Sequence, residues 1–393
     1  MQSFRLLAAT VVIVVLADAS RVSAAQIVYG FTPLASSASF GGLSPPSINN
    51  SGTVAFLANG GAYTVTANGT PHAAISNAGL TGEGAVSLSP SINDAGTVAA
   101  TIGGYIDFGG SVVSSAGGGT TIAATPSPVG APNFGLYGDN PAIRADGTVA
   151  FEFSHQGGIS GEGVFAGSGG PIMTLYSDQT GGTMIDPSTS RSANVIAYAA
   201  PILNGSLDTG NALFINNGTS TTQVASAPNL YFNSVAVNAG GNVAASVSGA
   251  FESGGGVYEA QGGTLVTLVP GTEFVNSFGD VSINDSGTLA FYETTTNTST
   301  VSGIYLWSGG STSKVIATGD PLDGSTVTGI SFGNEALNNS DQVAFFATLA
   351  NGTSAEFLAS PVPEPSSFLL LAVGILAIGA LLRTHAPPRW TAM

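Results

Sequence analysis

One nine-residue pattern recurs through this chain at a period of about 48 residues, and it constrains the fold more than any other feature. It reads aliphatic, Asn, two small or polar residues, Gly, any residue, Val, Ala, aromatic. The first copy runs from Ile48 to Phe56, and others run from Ile92 to Ala100 and from Ile143 to Phe151. A worn copy ends in Asn194-Val195-Ile196-Ala197-Tyr198, and further copies start at Val237, Ile283 and Leu337. The chemistry is that of a hairpin. A strand ends at the aliphatic residue, Asn accepts a hydrogen bond from the backbone two residues on, and Gly takes the positive φ that closes a type I turn with a bulge. The Val-Ala-aromatic run is the returning strand. The turn residues are therefore Asn49, Gly52, Asn93, Gly96, Gly147, Asn238, Asn284, Gly287 and Asn338. Arg144 replaces Asn in one copy, and Asp341 replaces Gly in another. Asp tolerates the left-handed region better than most residues do.

Three other segments repeat in phase. A Gly-aromatic segment recurs as Gly163-Val164-Phe165, Gly256-Val257-Tyr258 and Gly303-Ile304-Tyr305. A Thr/Val segment follows it, as in Thr222-Gln223-Val224-Ala225. An aromatic-Gly segment precedes the next hairpin, as in Phe40-Gly41, Phe134-Gly135, Phe278-Gly279 and Phe332-Gly333. No stretch between Gln26 and Pro361 keeps a helical period over three turns. The fold class is all-β. About four short strands per unit, in seven units, predict a seven-bladed β-propeller, with an open β-solenoid as the alternative. The ends are in complementary phase. Strands near Gln26 to Phe31 and near Phe40 are predicted to complete one blade with the strands after Leu337, so closing the ring and removing its open edges.

The two ends are addresses. Residues 1–25 hold Arg5, an apolar run from Leu6 to Ala17 and small residues at Val22-Ser23-Ala24-Ala25, the pattern of a secretory signal. The β-repeat domain is then 26–360. Residues 361–393 begin with Val362-Pro363-Glu364-Pro365-Ser366. An apolar stretch follows, read as a transmembrane helix over 367–382, and then Arg383 and Arg389. Trailing bases place the C-terminus in the cytoplasm and the domain outside. The Pro363-Glu364-Pro365 tripeptide, single span and Arg383 resemble the PEP-CTERM sorting signal. That resemblance implies an exosortase as processing partner, export in a Gram-negative bacterium that makes exopolysaccharide, and a membrane-anchored precursor released to the cell surface. Thr384 to Pro388 separate the two arginines, whereas the family ends soon after a tight basic cluster. The repeat also resembles a tandem Asn-x-x-Gly-x-x-x-aromatic family of surface proteins, which implies no reaction.

Composition removes several classes. Between Gln26 and Pro361 the bases are Arg144, Arg191 and Lys314, against 21 of the chain's 23 acids. Such a surface repels phosphate and excludes nucleic-acid binding. Without cysteine there are no disulfides, thiolate metal sites or cysteine nucleophiles. Glycine, at 55 residues, follows no three-residue period, so the chain is not collagen.

No catalytic, cofactor or metal residue is assigned. His72 and His155 lack ligand partners at metal spacing. Gly329-Ile330-Ser331-Phe332-Gly333 matches a nucleophile elbow, but no helix is predicted after it, and Val275 to Gly279 repeats the segment one unit earlier. Asp320-Pro321-Leu322-Asp323-Gly324 is the densest acidic turn and reads as an ordinary turn, with calcium as the alternative. Asn68-Gly69-Thr70 and Asn217-Gly218-Thr219 are sequons that turns already explain. The expected function is that of a non-enzymatic exported surface or matrix protein that contacts exopolysaccharide or neighbouring surface proteins. The alternatives are a carbohydrate-active propeller (lyase or glycoside hydrolase) with acids meeting at the channel mouth, and a calcium-dependent adhesin.

Overall fold

A computed structural model describes residues 27–362, apart from residues 77–88, 103–110, 117–119, 125–133, 136–139, 156–161, 178–184, 205–206, 248–254, 272–275 and 296–299. Residues Gly30–Ser360 form one compact unit. It is a seven-bladed β-propeller of seven separate sheets. Blades 1 to 6 span residues 47–75, 91–124, 134–177, 185–228, 234–270 and 276–317. Blade 7 spans residues 321–362, and the N-terminal strand Val28–Ser36 lies beside its last strand Ser354–Val362. The two ends of the domain thus share one blade, as the phase of the repeats predicts. The segment near Phe40 is not a strand. It is the four-residue helix Ser37–Phe40, so the N-terminus lends blade 7 one strand rather than two. Phe40 still reaches the core, with its ring edge-on to Phe56 and Tyr63.

The repeated motif is the hairpin between the inner and second strands of each blade. In blade 1 the inner strand is Ser47–Ile48 and the second is Val54–Ala58, every residue of both being buried. Both sheet faces are covered, so the second strand reads as a continuous apolar run. Its alternation separates two interfaces. Val54 and Phe56 join the cluster shared with Ala344 and Leu358 of blade 7, and Ala55 and Leu57 join the one shared with Ile92 and Val98 of blade 2. Further clusters fill the 2/3, 3/4, 4/5 and 5/6 interfaces.

The Gly-aromatic segment is the third strand, and its aromatic residue stands opposite the aromatic of the motif. Phe56 pairs with Tyr63, Phe151 with Phe165, Tyr198 with Phe214, Phe291 with Tyr305 and Phe345 with Phe357. All five are stacked, with ring centroids 5.4–6.1 Å apart. Each such pair adds about 0.5–1.5 kcal/mol beyond its buried area. The glycine two residues earlier makes room. A Cβ on Gly163 would lie 2.7 Å from the Phe165 ring.

Candidate functional site

The seven motif turns gather at one end of the propeller axis, the usual place for a propeller ligand. A depression there is lined by Asn50, Arg191, Ser192, Asn284, Asp285 and Asn339, among others.

Locally the turns have the geometry that the motif predicts. The N–H of Gly52, Gly96, Gly147, Gly241, Gly287 or Asp341 donates to the carbonyl three residues back, at 2.9–3.1 Å. The five glycines have φ of 79 to 84°, and Asp341 has 55°. A Cβ is strained there, which explains the glycine preference. The asparagine side chain does more than start the turn. Asn49 Oδ1 accepts from the N–H of Ser51 at 3.2 Å and of Thr53 at 2.9 Å. Asn284 and Asn338 repeat both bonds.

The amide nitrogen of the same side chains has a second role that the motif does not predict. Asn49 Nδ2 donates to the Asn93 carbonyl, Asn93 to Arg144, Asn238 to Asn284, Asn284 to Asn338, and Asn338 to Asn49, all at 2.9–3.2 Å. Each bond crosses to the following blade, and the last crosses from blade 7 to blade 1. A second ring lies beside the first. The N–H of Asn50, Ala239, Asp285 and Asn339 donates to the side chain of Asp94, Asp285, Asn339 and Asn50, at 2.8–2.9 Å. Asp could cap the turn, but it could not donate across the interface. That asymmetry is a signal in the sequence: Asn, not Asp, stands at five of the seven positions.

The ring is interrupted at blades 3 and 4, where Arg144 and Ser190 replace Asn. At Arg144 the capping falls to Asp146, which accepts from Thr148 N–H at 2.9 Å and forms an ion pair with the Arg144 guanidinium. Burial tends to raise the Asp146 carboxyl. The bonds from Arg144 and Thr148 outweigh it and hold the group below the ordinary carboxylate range. Thr189 Oγ1 donates to the Ile143 carbonyl at 2.9 Å, so a link between blades 3 and 4 persists with its direction reversed.

In blade 4 the turn is one residue longer, since Ser190 N–H donates to Val195 O where Asn49 N–H donates to Thr53 O. The extra length sends Arg191 across the axis. Its guanidinium donates to the carbonyls of Ile48, Glu335 and Leu337, which belong to blades 1 and 7. The buried Glu335 carboxylate accepts from the Ser91 hydroxyl of blade 2 and from the Thr189 N–H of blade 4. Burial lifts the Glu335 carboxyl above its ordinary range, against the Arg191 charge and these hydrogen bonds. Burial likewise lowers the Arg191 value, opposed by Glu335, Asp94 and Asp285. Arg191 and Glu335 thus span the axis beneath the turns.

The acids at the mouth are tied down as well. Asp94 takes both the N–H and the Nδ2 of Asn50. Asp285 takes Ala239 N–H, Asn339 Nδ2 and Ser192 Oγ. Burial would raise Asp285, but those bonds and the Arg191 charge hold it below the ordinary range. Elsewhere Asp320 forms an ion pair with Lys314 at 2.8 Å and accepts from Ala317 N–H, within the turn containing Asp323 and Gly324. Ser331 ends the strand Ser325–Ser331, with no helix after it. His72 is exposed. Among the described residues no group of three or more His, Asp or Glu converges to hold a metal ion.

The expected signal peptide, the Pro363-Glu364-Pro365 tripeptide, Arg383 and the 367–382 helix lie outside the described residues. Among those described, no helix is long and apolar enough to cross a membrane.

Comparison with known proteins places both parts of the chain. Residues 59–361 match the family of unknown function DUF7453, and the chain belongs to that family. Residues 361–383 match the PEP-CTERM protein-sorting motif. That motif implies processing by an exosortase, export and sorting to the surface. No curated protein matches in sequence. Among solved structures the chain resembles the β-propeller domain of the Trilobed protease from Pyrococcus furiosus, described as having an open velcro topology. The TM-score is 0.52 at 12% identity, covering 81% of this chain and 95% of that one. It also resembles the Pyrococcus horikoshii acylaminoacyl peptidase, with a TM-score of 0.51 at 8% identity over 84% of this chain. The chain spans about half the length of that peptidase, 53%. These likenesses concern the fold alone.

Proposed function

We propose that this protein is a non-enzymatic scaffold displayed at the cell surface or in the extracellular matrix, where it contacts exopolysaccharide or other surface proteins. One observation carries the reading. The polar groups at the propeller mouth bind one another: Asp94 holds Asn50, Asp285 holds Asn339, Ser192 and Ala239, and Arg191 holds three carbonyls. A catalytic mouth needs a base or nucleophile with bonding capacity left for substrate. The charge pattern supports the same reading. Arg144 and Arg191 are buried and Lys314 is paired with Asp320, so the exported domain turns an acidic face to solvent. Such a face suits neutral glycans or cationic protein patches and disfavours polyanions. On this reading the precursor is held in the inner membrane by its C-terminal segment until an exosortase cuts it.

The test uses purified domain, residues 26–360, with the producing organism's exopolysaccharide and with a panel of polysaccharides and peptides. Binding without turnover is expected. Saturable turnover that survives repurification would overturn the proposal. Replacing Pro363-Glu364-Pro365 by alanines in the full chain is expected to hold the protein in the inner membrane.

A further inference from the structure

The divergent turn of blade 4 looks like a decayed repeat, yet it supplies a buried arginine that spans the hub. We infer that the Arg191–Glu335 pair is a cross-axis clamp on the seam between blades 7 and 1, the first and last complete repeats of the ring. Three observations converge on it.

The first is the choice of acceptors. The Arg191 guanidinium belongs to blade 4, across the ring from its acceptors. It donates to Ile48, Glu335 and Leu337, the residues on either side of the 7/1 interface. Every other interface joins blades that follow one another in the chain. The 7/1 interface joins residues 289 apart in sequence, as in the bond from Asn338 to Asn49. Like the pairing of Val28–Ser36 with Ser354–Val362, it forms only when the ring closes, and among the interfaces between blades it bears the largest loop-closure cost.

The second is the double use of Glu335. Its carbonyl takes Ile48 N–H at 3.0 Å, so its backbone bridges the same seam. Its carboxylate takes the Ser91 hydroxyl of blade 2 and the Thr189 N–H of blade 4. Blades 7, 1, 2 and 4 are thereby joined through two residues. Glu335 stands where four repeats place proline (Pro46, Pro90, Pro141, Pro187) and two place valine, so it is not part of the repeat's own pattern.

The third is chemical. Inner strands have no neighbour on their axial side, so their outward-facing carbonyls need donors from elsewhere. Arginine offers five donors in a fixed plane and stays charged when buried, whereas lysine offers three at one point. The blades that lack Asn donors, 3 and 4, are also those that supply the two arginines of the hub.

The experiment is residue-resolved amide exchange on the folded domain, comparing wild type with Arg191→Met, Arg191→Lys and Glu335→Gln. Ile48 and Asn339 report on the seam, since their N–H groups donate across it. The amides of Ser234–Val237 and Val243–Val247 in blade 5 serve as controls. Arg191→Met is expected to speed exchange at the seam at least about tenfold while leaving blade 5 within about twofold. That corresponds to a local opening rather than a global one. Arg191→Lys is expected to show the same pattern with a smaller ratio, and it decides the case if Arg191→Met does not fold. Equal acceleration in all blades, or none at the seam, would overturn the clamp. It would leave the scaffold reading untouched, because that reading is tested by turnover and binding.

Discussion

Glu335 and Glu356 sit in the same blade, are 3% and 0% exposed, and have opposite surroundings. Glu335 lies in the hub, with Ser91, Thr189 and the Arg191 charge around it. Glu356 lies in the strand Ser354–Val362, opposite Phe346, and neither of its carboxyl oxygens has a hydrogen-bond partner. Burial alone drives its pKa well above the ordinary carboxylate range. Glu335 thus lies among polar groups that bond it, while Glu356 lies in an apolar interior that offers its carboxylate nothing. Burial of an acid is therefore not by itself a sign of a site in this protein. The partners decide.

That contrast predicts opposite signs for the same substitution. Glu335→Met, which strands the Ser91 hydroxyl and the Thr189 N–H and leaves the Arg191 charge without its counter-charge, is expected to cost about 3–5 kcal/mol by urea unfolding. Glu356→Met, which removes two unsatisfied oxygens, is expected to stabilise by about 1–3 kcal/mol. Destabilisation by the second change would show that Glu356 has a partner after all. The pH dependence has a definite direction. Both glutamates have raised values in the folded state, so the folded protein keeps these protons longer than the unfolded chain does. Their stabilising effect is complete below the unfolded glutamate value and is lost as pH climbs toward the folded ones. The gain from Glu356→Met is accordingly larger at pH 8 than at pH 4. Asp146 and Asp285 are lowered and behave in reverse. Their contribution is present above the unfolded aspartate value and is lost as pH falls through the folded values. Melting curves from pH 2 to 9 separate the two behaviours.

Smaller effects sharpen the same comparison within the ring of turns. Asn284→Asp keeps the acceptor for Ser286 and Thr288. It loses the donor to Asn338 O and sets a carboxylate beside Asp341, which in the wild type accepts from Asn284 Nδ2 at 2.8 Å. A loss of about 2–3 kcal/mol is expected in thermal or urea unfolding. Arg144→Asn restores the common residue, breaks the ion pair to Asp146 and removes a buried Nη1 that has no partner; these opposed effects are expected to leave stability within about 1 kcal/mol. A large loss there would mean that Arg144 does more than occupy a turn.

Much of the fold is legible in the sequence because it is local. The hairpin needs Asn at its start and a residue that accepts positive φ at its bulge, and Gly52 and Asp341 both announce this within nine residues. The aromatic pair Phe291–Tyr305 follows from two segments joined by a short connection. What the sequence conceals is what crosses between repeats. The acceptor for Asn49 Nδ2 lies 44 residues on, so nothing near Asn49 reveals it. In sequence Arg191 is one of few bases and has no evident role, because its acceptors at Ile48 and Leu337 are 143 and 146 residues away. Glu335 is unremarkable in the sequence until the repeats are aligned and it breaks a proline and valine column. The glycine beside Phe40 suggests a strand, and only the packing on Phe56 shows that a ring can fill that corner from a short helix.

The most direct test of the hub as an interlocking ring is hydrogen exchange of asparagine side-chain amides in selectively labelled protein. Five of them, from Asn49, Asn93, Asn238, Asn284 and Asn338, are predicted to exchange far more slowly than a free asparagine amide and to lose protection together when the protein unfolds. If all asparagine side chains exchange at the free rate in the folded protein, the ring does not hold the blades together, and apolar packing between neighbouring sheets must do so without it.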